Sequence, residues 1–193
     1  MLSGPFLSNY VLLKSERFCF AHRRCAKSAE RAHHLSVVYE NCYGGKQNGD
    51  HGGSLAFASE KGYLETMKFL VKMGVGVHAK DDEALRFASK KGYLETVKFL
   101  VTRRGADVHT GNDGALRCAS ENGHLDVVQF LVLKGANMHT SNDGALRFAS
   151  KNGHLDVVQF LVLKGANMHT IKEGALRYAS GGGHLEVVKY LVT

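Results

Sequence analysis

Residues 144–167 read GALRFASKNGHLDVVQFLVLKGAN, and the same pattern returns along most of the chain. Segments beginning at Ser54, Ala84, Ala115, Ala145 and Ala175 are separated by 30, 31, 30 and 30 residues. Self-similarity at a fixed period of this length marks a stacked repeat architecture. Each unit encodes two short helices. In the first, Leu85 and Ala88 lie three apart and share a face, and the small Ala allows neighbouring helices to approach closely. The second is predicted from near Leu125 to near Lys134, where Leu125, Val128, Leu131 and Val132 form an apolar stripe with Val127 beside it. Asp126 in its first turn and Lys134 in its last complement the helix dipole, and Gly135 supplies a left-handed stop. The one extra residue falls within Thr102-Arg103-Arg104, at a helix end where it is easily absorbed. Connections such as GANMHTSND are too short and polar for a further helix. A pair of helices of this kind cannot bury its apolar faces alone, whereas stacked copies can. The pattern therefore predicts an all-α solenoid of helix-turn-helix repeats with short loops.

Composition agrees with a folded chain. Of 193 residues, 44% are hydrophobic and 22% charged, which excludes disorder of the whole. The 22 glycines against a single proline, Pro5, suit many tight turns between helices. The net charge of +7 divides into +3 over residues 1–50 and +4 over the remainder, with no run of like charges to act as an electrostatic tail. Such a charge makes weak contacts with any polyanion and does not specify nucleic acid. No stretch reaches the roughly 18 consecutive apolar residues of a membrane span. The opening MLSGPFLSNYVLLK lacks the early positive residue of a signal peptide. Cys19, Cys25, Cys42 and Cys118 are too few and too uneven for a disulfide framework and read as reduced thiols of an intracellular protein.

Gly-His-Leu-x-Val-Val followed by Gly-Ala-Asn at fixed spacing, repeated over residues 50–193, resembles the ankyrin repeat. The resemblance implies two antiparallel helices with a hairpin-like loop at right angles to them. It also implies a concave binding face made by the loops and first helices, and a protein-binding role without catalysis. The family's Thr-Pro-Leu-His opening is replaced by Gly-Ala-Leu-Arg, as at Gly144-Ala145-Leu146-Arg147, and the usual 33-residue unit is shortened to 30 within the loop. The loop should accordingly be stubbier than usual. This short form resembles arrays of large DNA viruses of amoebae and of some amoebae. Five units are expected, at about 50–80, 81–111, 112–141, 142–171 and 172–193. Placing His34-Leu35 on the Gly-His-Leu position makes residues 23–49 a degenerate capping repeat, preceded by a poorly defined segment, 1–22.

Several constellations invite a chemical reading. Cys19, His22, Cys25, His33, His34 and Cys42 are suitable zinc ligands, but their spacing matches no zinc module. No metal site or cofactor is therefore expected. His124, His154 and His184 follow the period; the resemblance implies a loop brace hydrogen bonding between the two helices, with Tyr63 and Tyr93 replacing it in two units. His78, His109, His139 and His169 form a second periodic row. Arg86, Arg117, Arg147 and Arg177 form a third, for which ion pairing with Asp113, Asp143 and Glu173 is expected, and a grip on an acidic partner is the alternative. Phe57, Phe87, Phe148 and Tyr178, with Cys118 between them, read as packing between repeats. No glycine-rich phosphate loop, nucleophile elbow or His-Glu-x-x-His helix is present, so no catalytic residue is assigned.

Residues 112–140 and 142–170 differ at only two of 29 positions, Cys118 against Phe148 and Glu121 against Lys151, as after a recent duplication. Variation concentrates instead at the first-helix ends. The expected partner-binding residues are Lys61, Asp82, Lys90, Lys91, Asn112, Asp113, Glu121, Asn122, Asn142, Asp143, Lys151 and Asn152. The expected molecule is a monomeric scaffold for another protein. The alternatives are a folded but decaying member of an expanded repeat family, or a weak metal or nucleic-acid binder acting through residues 1–49.

Overall fold

The computed structural model describes residues 52–193, the side chains of residues 170–173 excepted. The degenerate unit at 23–49 and the Cys/His cluster within residues 19–42 lie outside the described residues. Five helix pairs follow one another: α1 (Gly52–Lys61) and α2 (Leu64–Lys72), α3 (Ala79–Lys90) and α4 (Leu94–Lys98), α5 (Thr110–Glu121) and α6 (Leu125–Leu133), α7 (Thr140–Lys151) and α8 (Leu155–Leu163), α9 (Thr170–Gly181) and α10 (Leu185–Val192). No strand occurs among the described residues. None of these helices is long and apolar enough to cross a membrane.

The first helices pack directly on one another, and the second helices cover them. Ala88, Ala119, Ala149 and Ala179 are fully buried where first helices meet, so the missing side-chain bulk is what permits the close stacking. Leu85, Leu116 and Leu146 fill the layer beside them, and Val127, Val128 and Leu131 close it from the second helix. Leu125 and Val132, at the margins of the stripe, are half-buried. One continuous core thus runs through all five pairs.

Within each pair a glycine turns the chain. Gly123 has φ +73° and the His124 amide donates to the Ala119 carbonyl at 3.0 Å, a left-handed helix stop. Gly135, at φ +95°, ends α6 in the same way.

Two features depart from a plain repeat. The extra residue of the second unit is taken up as a π-helical turn over Phe99–Arg103, where the Thr102 hydroxyl donates to the Lys98 carbonyl at 2.6 Å. The core beneath is undisturbed, since Leu100 stays fully buried. The second feature replaces the expected stubby hairpin. Before α3, α5 and α7 take up right-handed geometry, three consecutive residues are left-handed: 80–82, 111–113 and 141–143, all with φ between 51° and 63°. A single left-handed turn reverses the chain in fewer residues than a strand pair needs. Gly, Asn and Asp tolerate that region best, which explains Gly111-Asn112-Asp113.

Candidate functional site

The loop acids do not face solvent. Asp82, Asp113 and Asp143 are each 4% exposed, held inside their left-handed turns. His109 Nδ1 donates to Asp113 Oδ1 at 3.0 Å and His139 Nδ1 to Asp143 Oδ1 at 2.9 Å; a carboxylate only accepts, so the proton sits on Nδ1. His78 Nδ1 lies 3.1 Å from Asp82 Oδ1. The next unit completes each shell. Asp113 also accepts from the Asn137 amide at 2.8 Å and the Thr140 hydroxyl at 2.5 Å, and Asp82 accepts from the Thr110 hydroxyl at 2.9 Å. The Asn167 amide reaches Asp143 at 3.2 Å. The expectation that these three acids contact a partner is therefore corrected: they are buried staples between successive repeats.

The other histidine row also joins repeats. His124 Nε2 donates to the Lys90 carbonyl at 3.0 Å, His154 to that of Glu121 at 3.0 Å, and His184 to that of Lys151 at 2.8 Å. The implied brace between the two helices of one unit is thus a bridge to the preceding unit's first helix. A Cβ added to Gly92 would lie 2.5 Å from His124 Nδ1, and one on Gly123 2.5 Å from His154 Nδ1. Gly92, Gly123 and Gly153 are therefore each needed twice, for the backbone and for the imidazole of the following repeat.

Among the described residues the arginine row does not pair with the loop acids, and the side chain of Glu173 lies outside the described residues. Arg117 donates to the Gly111 carbonyl at 3.3 Å and the Ser141 hydroxyl at 3.4 Å, and Arg147 donates to the Ser141 carbonyl at 3.1 Å. The ion pairs expected with Asp113 and Asp143 are absent because histidine, threonine and backbone amides already fill those carboxylates. Each arginine stem crosses the next repeat, with Arg86 Cδ 3.0 Å from a Cβ built on Gly114 and Arg117 Cδ 3.2 Å from one on Gly144. This pairing is visible in the sequence in retrospect. Arg86, Arg117 and Arg147 are each followed one unit later by Gly114, Gly144 and Gly174, whereas Ala56 is followed by Glu83.

Two exposed groups remain, at opposite ends of the first helices. Lys61, Lys90, Lys91, Glu121, Asn122, Lys151 and Asn152 lie exposed at the C-terminal tips. Asn112 and Asn142 are exposed on the left-handed turns, about 12 Å away along an eight-residue helix. The candidate residues therefore do not form one patch. The tip asparagines are partly fixed, Asn122 Nδ2 donating to the Cys118 carbonyl at 2.8 Å and Asn152 Nδ2 to that of Glu121 at 2.6 Å. Between the two groups run the arginines and the half-buried Phe57, Phe87, Cys118, Phe148 and Tyr178. Tyr178 takes the Arg147 and Arg177 guanidinium groups at 5.9 and 5.5 Å from its ring centre. Burial, and then Glu121, pushes the Cys118 thiol above its ordinary range, against the pull of Arg117, Arg86 and Lys90. That disfavours the thiolate a nucleophile needs. No cluster of three His, Cys, Asp or Glu side chains suited to a metal occurs among the described residues.

A family model described as ankyrin repeats in three copies matches residues 25–112, 55–142 and 115–193. No individual curated protein matches the chain.

Proposed function

Because the chain belongs to the ankyrin repeat family, whose members are generally protein-binding modules without catalytic activity, we propose that it is a monomeric scaffold that holds a partner protein on its first-helix face. One contrast carries this reading. The groups that join repeats recur with few exchanges, such as Tyr63 and Tyr93 for histidine and Ala56 for arginine, whereas the first-helix tips change in every unit, from Glu60-Lys61 to Lys90-Lys91, Glu121-Asn122, Lys151-Asn152 and Gly181-Gly182. Apart from Gly182, which lies against His184, and Asn152, which reaches the Glu121 carbonyl, packing places little demand on these tips, so their variation is open to recognition. A cytoplasmic setting suits Cys118, which is a free thiol.

Altering Lys90, Lys91, Asn112, Glu121 and Asn122 together should leave the thermal transition in place and abolish recovery of the partner. Asp113 is kept, because its loss would loosen the array itself. Affinity capture from the native host followed by mass spectrometry, with both proteins as bait, reads the result. Equal recovery of the same partner would remove this surface from the proposal.

A further inference from the structure

Asp113 and Asp143, two of the acids expected to neutralise the arginine row, are buried inside the turns. Among the described residues no carboxylate lies within ion-pair distance of Arg86, Arg117, Arg147 or Arg177. A guanidinium has five N–H donors. Two from Arg117 and one from Arg147 are taken by turn oxygens, and the Nε atoms of Arg86, Arg117 and Arg147 are buried without a protein partner, so the donors open to a ligand are the remaining Nη hydrogens. The row is also rigid, its stems seated on glycine and its outer end stacked on Tyr178. Lys90 and Lys151 extend the positive charge to the tips, with Glu121 as the one acid on that stretch of α5 and α7. Of the described carboxylates outside the turn interiors, Asp81 and Glu83 adjoin the Arg86 end of the row.

Spacing defines what fits. Helices packed side by side stand about 8–10 Å apart. A peptide in the polyproline II conformation advances about 3.1 Å per residue with three residues per turn, so side chains three apart share one face and span about one repeat. Building on the protein-binding reading above, we propose that the first-helix face takes an acidic segment of the partner in the polyproline II conformation, with a carboxylate at every third residue meeting successive arginines of the row. The planar fork of each guanidinium suits a carboxylate bidentately, and a row of fixed forks sets the register.

Fluorescence anisotropy tests this with a fluorescein-labelled peptide bearing Glu at every third position among Ser and Gly. A control of the same composition carries its Glu at every second position. The spaced peptide should bind about tenfold more tightly than the control. Arg117→Gln and Arg147→Gln should each weaken it about five- to tenfold, and Arg147→Lys, which keeps the charge and the stem, should weaken it as well. Lys134→Gln, just past the end of the second helix, should leave affinity unchanged, and circular dichroism melts check that every variant is folded. Equal binding of the two peptides, or arginine variants that bind like the parent, would overturn the inference. So would a single-stranded oligonucleotide of equal charge that outcompetes the spaced peptide. If the arginine variants retain a captured partner that the tip variant loses, the acidic-segment inference fails while the scaffold reading stands.

Discussion

At the scale of single residues, the array is held by side chains whose partners sit about thirty positions away, one repeat along. Glycine shows this most sharply. Gly123 and Gly135 both adopt positive φ, yet only Gly123 has a neighbouring ring where its Cβ would be. Gly135→Ala should cost only the backbone penalty, about 1–2 kcal/mol. Gly123→Ala adds the displacement of His154 and its hydrogen bond to Glu121, so its cost should exceed that by about 1 kcal/mol or more. Urea unfolding of the two variants gives the difference directly, and equal losses would mean that the imidazole contact contributes nothing. The same dependence on a distant partner governs Asp113. Its type and position suggest an exposed loop acid, and only its partners reveal a buried one.

Among elements, the second repeat shows how little a local irregularity costs when the core register is preserved. The residue that lengthens this unit becomes a π-helical turn at the C-terminal end of the second helix, beyond the buried Val97 and with Leu100 kept buried within it. Removing Arg104 leaves Val101-Thr102-Arg103-Gly105, which matches Val132-Leu133-Lys134-Gly135 in spacing. That deletion should let α4 continue as an α-helix, with stability held or raised by up to about 1 kcal/mol. A loss larger than that in a denaturant melt would mean that the π turn is built into the packing. The left-handed turns answer to a different constraint. They are short because thirty residues leave no room for a hairpin, and they carry Asn, Asp, Gly and Ser at most positions because those residues tolerate αL geometry.

For the molecule as a whole, stability should be a sum over repeats and the interfaces between them. Deleting residues 142–171 joins units that keep every type of junction, because the third and fourth repeats are nearly identical. The shortened protein should still unfold in one cooperative step, with a lower midpoint and a denaturant slope reduced by roughly a fifth. A non-cooperative or unfolded product would show that the fourth unit supplies something its twin cannot. The all-α repeat architecture, its period, the second-helix stripe and the glycine stops were legible in the sequence, because they depend on apolar spacing and backbone preference within one unit. The residues bearing on function were less so. Asp82, Asp113 and Asp143 read as surface, the arginines read as paired with Asp113, Asp143 and Glu173, and His124 read as a brace within its own unit. Each of those assignments depends on which atom of the neighbouring repeat arrives first. A carboxylate filled by histidine, threonine and amide donors cannot also bind arginine, and that competition is decided only when the units stack. The sequence by itself determined what each repeat is; the tertiary structure decided which of its charges are used to join repeats and which stay available on the first-helix face.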